Sequence, residues 1–501
     1  METPQAHELL ARVLLVLAIV LLLKRMLLSP PFKTSSGSSP PFARPWGLPI
    51  IGNLHQLGAL PQASLSALAG EHAAPLMLLR LGSVPALVVS SAAAARAVFR
   101  HGNDRALSGR PALRAAARLS YGLRNDEAAA LVAAVADESR GDGSAVNLSD
   151  RLVAATSRIV RRVAFGADDG EDNIQTKAIL EETQRLLGAF FVSDYMPWLG
   201  WLDTLRGLRR RLERNFDELD AFYEKVIDEH VHKRATMPNN SEEDLVDVLL
   251  RLHDDPAHRS TFGSRGAIKG ILTDMFIAGT DTSSAAVEWT MTELVRNPDV
   301  LAKAQREVRG VVGDNRDAVL ESDLPRLHYL KLVIRESLRL HPPAPLLVPR
   351  ETTEPCTVHG HVVPAGTRVL VNAKAIGADP DAWGPDAARF VPERHDGGDL
   401  NDHKPWHDDT FRLVPFGLGR RSCPGVHFAT AVVELLLANL LLCFDWRAPH
   451  GGEVDLEEEN GLTVHRKNPL VLVAERRRGA ASDTSRLDPQ GHDVAARKEM
   501  R

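Results

Sequence analysis

The chain has 501 residues, of which 44% are hydrophobic and 25% are charged, so it can bury a substantial core and is unlike a disordered chain. Its 60 basic and 65 acidic residues give a formal net charge of -5, which is too balanced for a nucleic-acid-binding surface. Length alone leaves one large domain or two domains open. The three cysteines, Cys356, Cys423 and Cys443, are odd in number and widely spaced, which argues against a disulfide framework and for a reducing compartment.

Residues 9–28 are almost wholly apolar, interrupted by Arg12, Lys24 and Arg25. A membrane-spanning helix needs roughly 20 apolar residues, so this segment suffices only if its basic side chains reach the lipid interface. A cleaved signal peptide is the alternative, but no small-residue cleavage site follows. Glu2 and Glu8 also stand where a signal peptide has a basic cluster, so we predict a retained membrane anchor over residues 1–28. The excess of positive charge after the apolar run predicts that the body of the protein faces the cytosol.

The rest of the chain divides by composition. Residues 29–49 are rich in proline and serine and predict a stiff, extended hinge. Residues 50–474 show mainly helical periodicity, which predicts a mainly α domain with a small β part. Residues 475–501 are polar and predict a disordered tail. Short strand patterns bounded by Gly or Pro lie at Leu76–Leu81, Ala86–Ser90 and Thr367–Ala373.

The segment 416–425 surrounds Cys423 with residues that suit a metal thiolate. Glycine at three positions permits a tight loop whose backbone N–H groups can point toward one sulfur: Gly417, Gly419 and Gly425. Arg421 can neutralise nearby negative charge, and an apolar helix predicted from Val426 would place its N-terminus, which favours an anion, next to the sulfur. A single buried cysteine in a glycine-rich turn is the alternative.

Two helical motifs carry polar groups in unusual places. Glu336 and Arg339 lie three residues apart, on one face of a helix predicted over Tyr329–Leu340, and could form an ordinary surface ion pair. The run Ala278–Ser283 puts Gly and hydroxyl side chains in the middle of a helix predicted from Ala267 to about Val295, where they are poor helix formers. A kink or a close helix crossing is the alternative explanation for that run.

The proline-rich segment 341–350 is rigid and apolar and ends in the cation of Arg350. A segment of this kind can also be a plain structural connector. A later motif, Phe390–Arg394, contributes a further arginine, Arg394.

The segment 416–425 resembles the haem-ligand signature of the cytochrome P-450 family at five positions: Phe416, Gly419, Arg421, Cys423 and Gly425. The resemblance extends from about Pro40 to Ala474, with the motifs in the family's order. The segments Pro45–Leu57 and Phe411–Gly417 are similar to those of plant microsomal members of specialised metabolism. The resemblance implies the cytochrome P-450 fold with an N-terminal membrane anchor helix, and haem b with Cys423 as its axial thiolate.

The resemblance also implies roles for the other motifs. Asp281 and Thr282 would be catalytic and pass protons, and Arg350 would join Phe416, Gly419, Arg421 and Gly425 in binding the cofactor. Glu336, Arg339 and Arg394 would lock together in a structural triad. The residues implied on the substrate side are Ala278, Gly279, Leu346, Leu347 and Val348.

The function implied is a haem-thiolate monooxygenase that inserts one oxygen atom from O2 into a small hydrophobic plant metabolite. Electrons would come from an NADPH-dependent cytochrome reductase, and the protein would cross the endoplasmic reticulum membrane once, with its catalytic domain in the cytosol and its anchor in lipid. Two other hypotheses stay open. One is a haem-thiolate isomerase or dehydratase, and the other is a noncatalytic remnant.

The chain departs from the family after Arg124. In family members, a segment like Leu119–Arg124 is followed by a few dozen residues that include a helix with a Trp-x-x-x-Arg motif. In this chain, Asn125 follows Arg124 directly, and its surroundings resemble sequence beyond that helix. No tryptophan lies between Trp46 and Trp198. The missing helix would remove two haem propionate contacts and one wall of the distal pocket. Sequencing the transcript across this junction distinguishes a real deletion from a gene-model error.

Overall fold

The structure is a computed structural model, and it describes residues 42–99, 106, 121–139, 145–166, 173–236, 243–313, 316–359, 361–396 and 410–477. The predicted membrane anchor, the hinge up to residue 41 and residues 478–501 of the predicted tail lie outside these ranges. The described part is mainly helical with small β-sheets, as the sequence predicts.

The helices are α1 (Pro61–Glu71), α2 (Ala92–Phe99), α3 (Tyr121–Glu138), α4 (Leu148–Phe165), α5 (Asn173–Leu187), α6 (Trp201–Leu205), α7 (Leu208–Thr236), α8 (Leu245–Asp254), α9 (Arg259–Phe262), α10 (Arg265–Arg296), α11 (Pro298–Val312), α12 (His328–Leu340), α13 (Ala373–Gly377), α14 (Pro380–Trp383) and α15 (Val426–Cys443). Short 3-10 turns lie at Leu54–Gln56, Val192–Asp194, Pro197–Leu199, Pro256–His258, Glu321–Arg326, Pro392–His395, Gly419–Arg421 and Pro449–Gly451.

The strands are β1 (Leu76–Leu81), β2 (Val84–Val89), β3 (Ala145–Asn147), β4 (Arg350–Glu351), β5 (Cys356–Val358), β6 (His361–Val363), β7 (Arg368–Val371), β8 (Phe444–Arg447), β9 (Glu458–Glu459), β10 (His465–Arg466) and β11 (Val471–Arg476). The largest sheet has the order β1-β2-β7-β4, and only its β2–β7 pair is parallel. The second sheet has the order β3-β11-β8, and β5–β6 and β9–β10 are two-stranded. All three strands predicted from the sequence are present.

Helix α10 runs through the centre of the fold. Its 32 residues correspond to about 48 Å at 1.5 Å per residue. It begins where the Ser264 side chain accepts a hydrogen bond from the backbone N–H of Ala267, and it ends at Asn297, directly before Pro298 opens the next helix. Every residue from Ser283 to Leu294 is buried, so this half of the helix is core on all sides.

Helix α15 is the second central element, and its sequence is apolar around its whole circumference. It is the one helix among the described residues that is long and apolar enough to cross a membrane, yet 72% of its length is buried inside the protein. It packs against α3, α10 and α11 in the largest hydrophobic cluster. A helix that is apolar all round belongs in a core of this kind.

The boundary predicted for the polar tail is two residues too early. Strand β11 continues to Arg476, because Glu475 and Arg476 pair with Asp445 and Phe444 of β8. The polar side chains of Glu475 and Arg476 are exposed, so their backbone can continue the ladder without burying charge. The boundary predicted from composition therefore lies before the end of strand β11.

We expect Leu436→Ala in α15 to lower the free energy of unfolding by about 2–5 kcal/mol, because Leu436 is fully buried and its truncation leaves a cavity. Chemical denaturation of the purified protein measures the change. Leu456→Ala removes the same atoms from a side chain that is 38% exposed and should have little effect. Equal losses in the two variants would contradict the core placement of α15.

Candidate active site at the cysteine loop

The cysteine loop, residues 416–425, is a tight turn held by its own backbone. The N–H of Cys423 donates to the carbonyl oxygen of Phe416 over 2.7 Å, which closes the loop on itself. Gly417 has a φ of +79° and Gly419 a φ of +56°, backbone conformations that disfavour any side chain. The glycines are therefore required by the turn.

Cys423 is the one cysteine of the three with an exposed side chain, whereas Cys356 and Cys443 are buried. The protein atoms on its inner side desolvate the thiol and raise its pKa, and the N–H of Gly425, which donates to the sulfur, opposes that rise. Helix α15 starts three residues beyond Cys423 with Val426, so the positive end of its dipole lies close to the sulfur. An open sulfur with a backbone donor suits an axial metal ligand.

Arg350 adjoins the loop from the edge of the largest sheet. Strand β4, which begins with this residue, pairs with β7 at Val369. One guanidinium nitrogen of Arg350 donates to the carbonyl oxygen of Leu418 over 2.6 Å, and the group lies 4.9 Å from the centre of the Phe99 ring. The structure therefore brings Arg350 and the cysteine loop together, with a cation next to the candidate haem site.

Arg421 lies in the 3-10 turn Gly419–Arg421 and is exposed, so the loop itself presents a second cation. Phe416 is half-buried and packs against the main hydrophobic cluster. A haem carries two propionates and an apolar ring edge, which two cations, an aromatic side chain and an accessible thiol would fit.

The predicted oxygen motif forms one continuous helical turn in α10. Ala278 is exposed although Phe276, Ile277 and Thr280 close by are buried, so this side of the helix borders open space. The hydroxyl of Thr282 donates to the carbonyl oxygen of Ala278 over 2.6 Å, the common bond of a helical threonine to the preceding turn. Thr282 and Ala278 are four residues apart and share this open face.

Gly279 has a packing role in the structure. A Cβ atom at this position would lie 3.2 Å from the side chain of Val160 on α4, so the glycine lets the two helices approach closely. The close helix crossing, which the sequence left as an alternative, therefore explains Gly279. Its place on the substrate side remains a prediction.

Asp281 points away from Thr282, toward the β9–β10 hairpin. One of its carboxylate oxygens lies 2.8 Å from Nε2 of His465, the first residue of β10. Sequence reasoning missed His465, although a histidine stands out in the otherwise apolar and basic run Leu462–Lys467. The local sequence around His465 gives no indication that its side chain contacts Asp281.

The structure brings the three residues of the predicted structural triad together. Glu336 and Arg339 are fully buried and 2.8 Å apart, and Arg394 lies 2.8 Å from the same carboxylate. His395 is a fourth member that the sequence did not suggest, with Nε2 at 2.9 Å from Glu336. Burial alone would raise the pKa of Glu336, but the hydrogen bonds from Arg339 and His395 lower it to about 2.

The three apolar residues predicted on the substrate side have different surroundings. Leu346 packs against a hydrophobic cluster on one face of the largest sheet, and Leu347 packs against the cluster on its other face. Val348 is 59% exposed. Of the three, Val348 is the side chain most free to contact a ligand.

The residues on both sides of the predicted junction are well packed. The Arg124 guanidinium, 4% exposed, donates through Nη2 to a Glu321 carboxylate oxygen over 2.8 Å. It also lies 5.5 Å from the centre of the Phe428 ring in α15. The side chain of Asn125 accepts a hydrogen bond from the N–H of Glu321. Helix α3 is thus fixed to the core directly after the junction.

An accessible thiol at the head of a buried helix, with cations beside its loop and a hydroxyl and an acid on a central helix, defines a haem-thiolate protein. A family model described as cytochrome P-450 matches residues 110–473, and the chain belongs to that family. The family uses haem b with an axial cysteine thiolate, and its members are oxidoreductases that incorporate molecular oxygen.

Plant proteins of this family are similar over most of the chain. Identity is 45% to cytochrome P-450 71A9 of Glycine max, over 86% of this chain and 92% of the relative. The identity to strychnine-11-hydroxylase of Strychnos nux-vomica is 43%, over 88% of this chain and 92% of the relative. The identity to 4-hydroxyphenylacetaldehyde oxime monooxygenase of Sorghum bicolor is 41%, over 86% of this chain and 87% of the relative.

The alignments also contain positions that have no residue in this chain. The alignment with the Glycine max relative spans 471 positions but uses 86% of the 501 residues, about 431, so about 40 positions have no residue in this chain. The alignment with strychnine-11-hydroxylase spans 482 positions and uses 88%, about 441 residues, which again leaves about 40. This length fits the missing Trp-x-x-x-Arg segment predicted after Arg124.

We expect Glu336→Gln to lower the free energy of unfolding by about 3–5 kcal/mol, because it leaves the buried Arg339 and Arg394 without their shared counter-charge. Denaturant unfolding at neutral pH measures the loss. Glu457→Gln removes an exposed partner of Lys467 and serves as the control, which should match the wild type.

The difference in the free energy of unfolding between the wild type and Glu336→Gln should also depend on pH. Because the pKa of Glu336 is lowered to about 2, its contribution is fully present above about pH 4.5 and is lost as the pH falls toward 2. The stability difference between wild type and Glu336→Gln should therefore shrink below pH 4.5. A constant difference would contradict an ionised, buried carboxylate.

Proposed function

We propose that the chain is a membrane-bound haem-thiolate monooxygenase that inserts one oxygen atom from O2 into a small hydrophobic plant metabolite. The observation that carries the proposal is the combination of an open Cys423 sulfur with an intact Asp281–Thr282 pair on the central helix. The names of the relatives, a hydroxylase and an oxime monooxygenase, support the same reaction class.

Cys423 would hold haem as its axial thiolate, and the bound group would supply the oxygen-activating chemistry, to which the thiolate would contribute electron density. Arg350 and Arg421 would hold the propionates, and the Gly425 N–H tunes the charge on the sulfur. Thr282 places its hydroxyl on the open face of α10, where it can donate a proton to the oxygen site. Asp281, one residue earlier, is the acid that resupplies it.

The residues on the substrate side favour an apolar ligand. Ala278 and Val348 are exposed apolar side chains near the motifs that hold the cofactor and the oxygen site. Apolar pockets with few polar groups orient a ligand by shape, and the protein supplies orientation and exclusion of water. A small hydrophobic metabolite is the substrate class that these residues suit.

Electrons would come from an NADPH-dependent cytochrome reductase in the endoplasmic reticulum membrane. The apolar segment over residues 1–28 would be the single membrane span, residues 29–49 the hinge and residues 50–474 the cytosolic catalytic domain. Large apolar side chains between residues 187 and 216 are also exposed, among them Trp198 and Trp201. Aromatic residues of this kind suit the interface between lipid and water.

Two other functions give different outcomes. A haem-thiolate isomerase or dehydratase would turn over without reductase, and it would have no use for the proton-passing pair Asp281–Thr282. A noncatalytic remnant would result if the segment predicted to be missing after Arg124 is needed to hold the cofactor. It predicts that the purified protein has no Soret absorbance.

We expect the purified full chain, reduced under carbon monoxide, to show the red-shifted Soret band of a thiolate-ligated haem, and Cys423→Ser to lose that band. Cys443→Ser is the matched control, because Cys443 is buried and cannot reach the cofactor. Absence of the band from the wild type would favour the remnant. Product formed without reductase would favour the isomerase.

We expect Thr282→Ala to form about 10²-fold less product per NADPH consumed, with hydrogen peroxide released instead, because the proton donor on the open face is gone. Thr273→Ala is the control, since Thr273 makes the same backbone hydrogen bond on the opposite side of α10. Product and peroxide are measured against NADPH oxidation. Equal coupling in both variants would contradict the role of Thr282.

A further inference from the structure

Helix α5 contacts the backbone of the central helix α10 through one polar side chain, close to the predicted oxygen motif. The side-chain amide of Gln184 donates a hydrogen bond to the carbonyl oxygen of Ile277 over 3.1 Å. Ile277 directly precedes Ala278, the exposed first residue of the motif. Gln184 and Ile277 are 93 positions apart in the chain, so this bond joins two distant helices at the point where the motif begins.

The bond from Gln184 fixes the peptide group that leads into Ala278. The carbonyl of Ile277 and the N–H of Ala278 belong to one planar unit, so holding the oxygen holds the whole plane. The next carbonyl along the chain, that of Ala278, accepts the hydroxyl of Thr282 over 2.6 Å. Two successive carbonyls of α10 therefore accept side-chain hydrogen bonds, one from α5 and one from Thr282. The position of Gln184 thus bears on the acceptor that orients the Thr282 hydroxyl.

A donor from another helix differs from the donors that α10 supplies itself. The hydroxyls of Thr290 and Thr292 donate to the carbonyls of Ala286 and Glu288, one turn earlier in the same helix. Such bonds move with the helix and fix nothing relative to the rest of the fold. A helical carbonyl that accepts the N–H four residues later keeps a second lone pair for a side chain. Gln184 uses it to fix this turn of α10 relative to α5.

Helix α5 is itself held on both sides of Gln184. The side-chain amide of Asn215 in α7, which is 4% exposed, donates to the carbonyl oxygen of Ile179 over 3.0 Å. Gly188, the residue directly after α5, lies so close to the turn before β10 that a Cβ atom would come within 3.1 Å of the Gly461 Cα atom. The amide of Gln184 is therefore presented to α10 from a fixed place.

Packing alone does not call for an amide at this position. Gln184 is half-buried, and an amide that leaves water without a hydrogen-bond partner costs free energy. The neighbouring residues Ile179 and Leu186, which α5 buries, are apolar. The partner of Gln184 is a carbonyl on another helix, within the turn that carries Thr282.

We propose that Gln184 is a positioning residue of the oxygen site. Its amide ties the peptide group between Ile277 and Ala278 to α5, and this holds the Ala278 carbonyl that orients the Thr282 hydroxyl on the open face of α10. The inference rests on the proposed function, because the orientation of this hydroxyl matters only for that reaction. Gln184 acts through α10 and contacts neither the substrate nor the cofactor in this role.

The first test measures coupling in variants that keep or remove the donor, with small alkylbenzenes as the apolar probes. Gln184→Leu keeps a similar volume without a donor, and we expect about 5-fold less product per NADPH consumed, the equivalent of one lost hydrogen bond, at an unchanged KM. Gln184→Glu, which is isosteric but has no donor when ionised, should behave alike. Gln184→Lys restores a donor of similar reach and should restore coupling.

The matched control is Arg185→Gln, which changes the exposed next residue of α5 and should couple like the wild type. Because Gln184 acts through Thr282, adding Gln184→Leu to Thr282→Ala should lower coupling no further. Wild-type coupling in both Gln184→Leu and Gln184→Glu would overturn this inference and leave the proposed function standing. A further loss in the double variant, or a raised KM without rescue by Gln184→Lys, would assign Gln184 a merely structural role and also overturn it.

The second test needs no turnover and uses hydrogen–deuterium exchange of the purified full chain. We expect the amides of residues 277–282 to exchange about 5-fold faster in Gln184→Leu, because the turn has lost its bond to α5, and those of residues 290–294 to stay unchanged. Equal exchange in the two proteins, or a rise along the whole of α10, would overturn the inference. Absence of product from the wild type would instead overturn the proposed function, and this inference with it.

Discussion

The part of the fold around the cysteine loop depends on the hydrogen bonds and ion pairs of the buried Glu336 carboxylate. It accepts hydrogen bonds from Arg339, Arg394, His395 and the N–H of Val391, so it joins α12 to a segment more than 50 residues later in the chain. Each of these groups would be costly to bury alone. One buried charge thereby commits several others to a single arrangement.

This arrangement extends to the cysteine loop through Trp383. The guanidinium of Arg339 lies 5.1 Å from the centre of the Trp383 ring, and that of Arg412 lies 5.2 Å from it. Arg412 is four residues before Phe416, where the cysteine loop begins. The buried ion network thus supports the chain that leads into the loop, so the position of the Cys423 sulfur depends on charges that never contact it.

Local pattern was enough to predict the elements that carry the site. The central helix, three of the four strands of the largest sheet and the apolar helix after Cys423 each follow from periodicity and from Gly or Pro boundaries. The predicted membrane anchor lies outside the described residues and stays a prediction. The end of β11 was misplaced because ladder hydrogen bonds come from the backbone, which has no signature in side-chain polarity.

Contacts between distant residues could not be predicted from one sequence. His465 meets Asp281 across 184 residues, and Arg124 meets Glu321 across 197. His465 reads locally as one polar residue in a short strand, and only the packing of the hairpin on α10 makes it a partner of the oxygen motif. Gly279 was placed on the substrate side, with a close helix crossing as the alternative, and its contact with Val160 could be seen only once α4 was placed beside α10.

The packing around Arg124 and the roughly 40 unmatched alignment positions have different consequences. The packing concerns the stability of the fold, and the unmatched positions concern the binding of the cofactor. Burial of Arg124 against Glu321 and its approach to Phe428 close the core on that side, so the fold does not need the missing residues to fix α3. The segment predicted to be missing would matter more to the binding of the cofactor than to the fold. Without the Trp-x-x-x-Arg helix, the haem would be held mainly by the Cys423 thiolate and by Arg350 and Arg421, both of which reach it from the side of the cysteine loop.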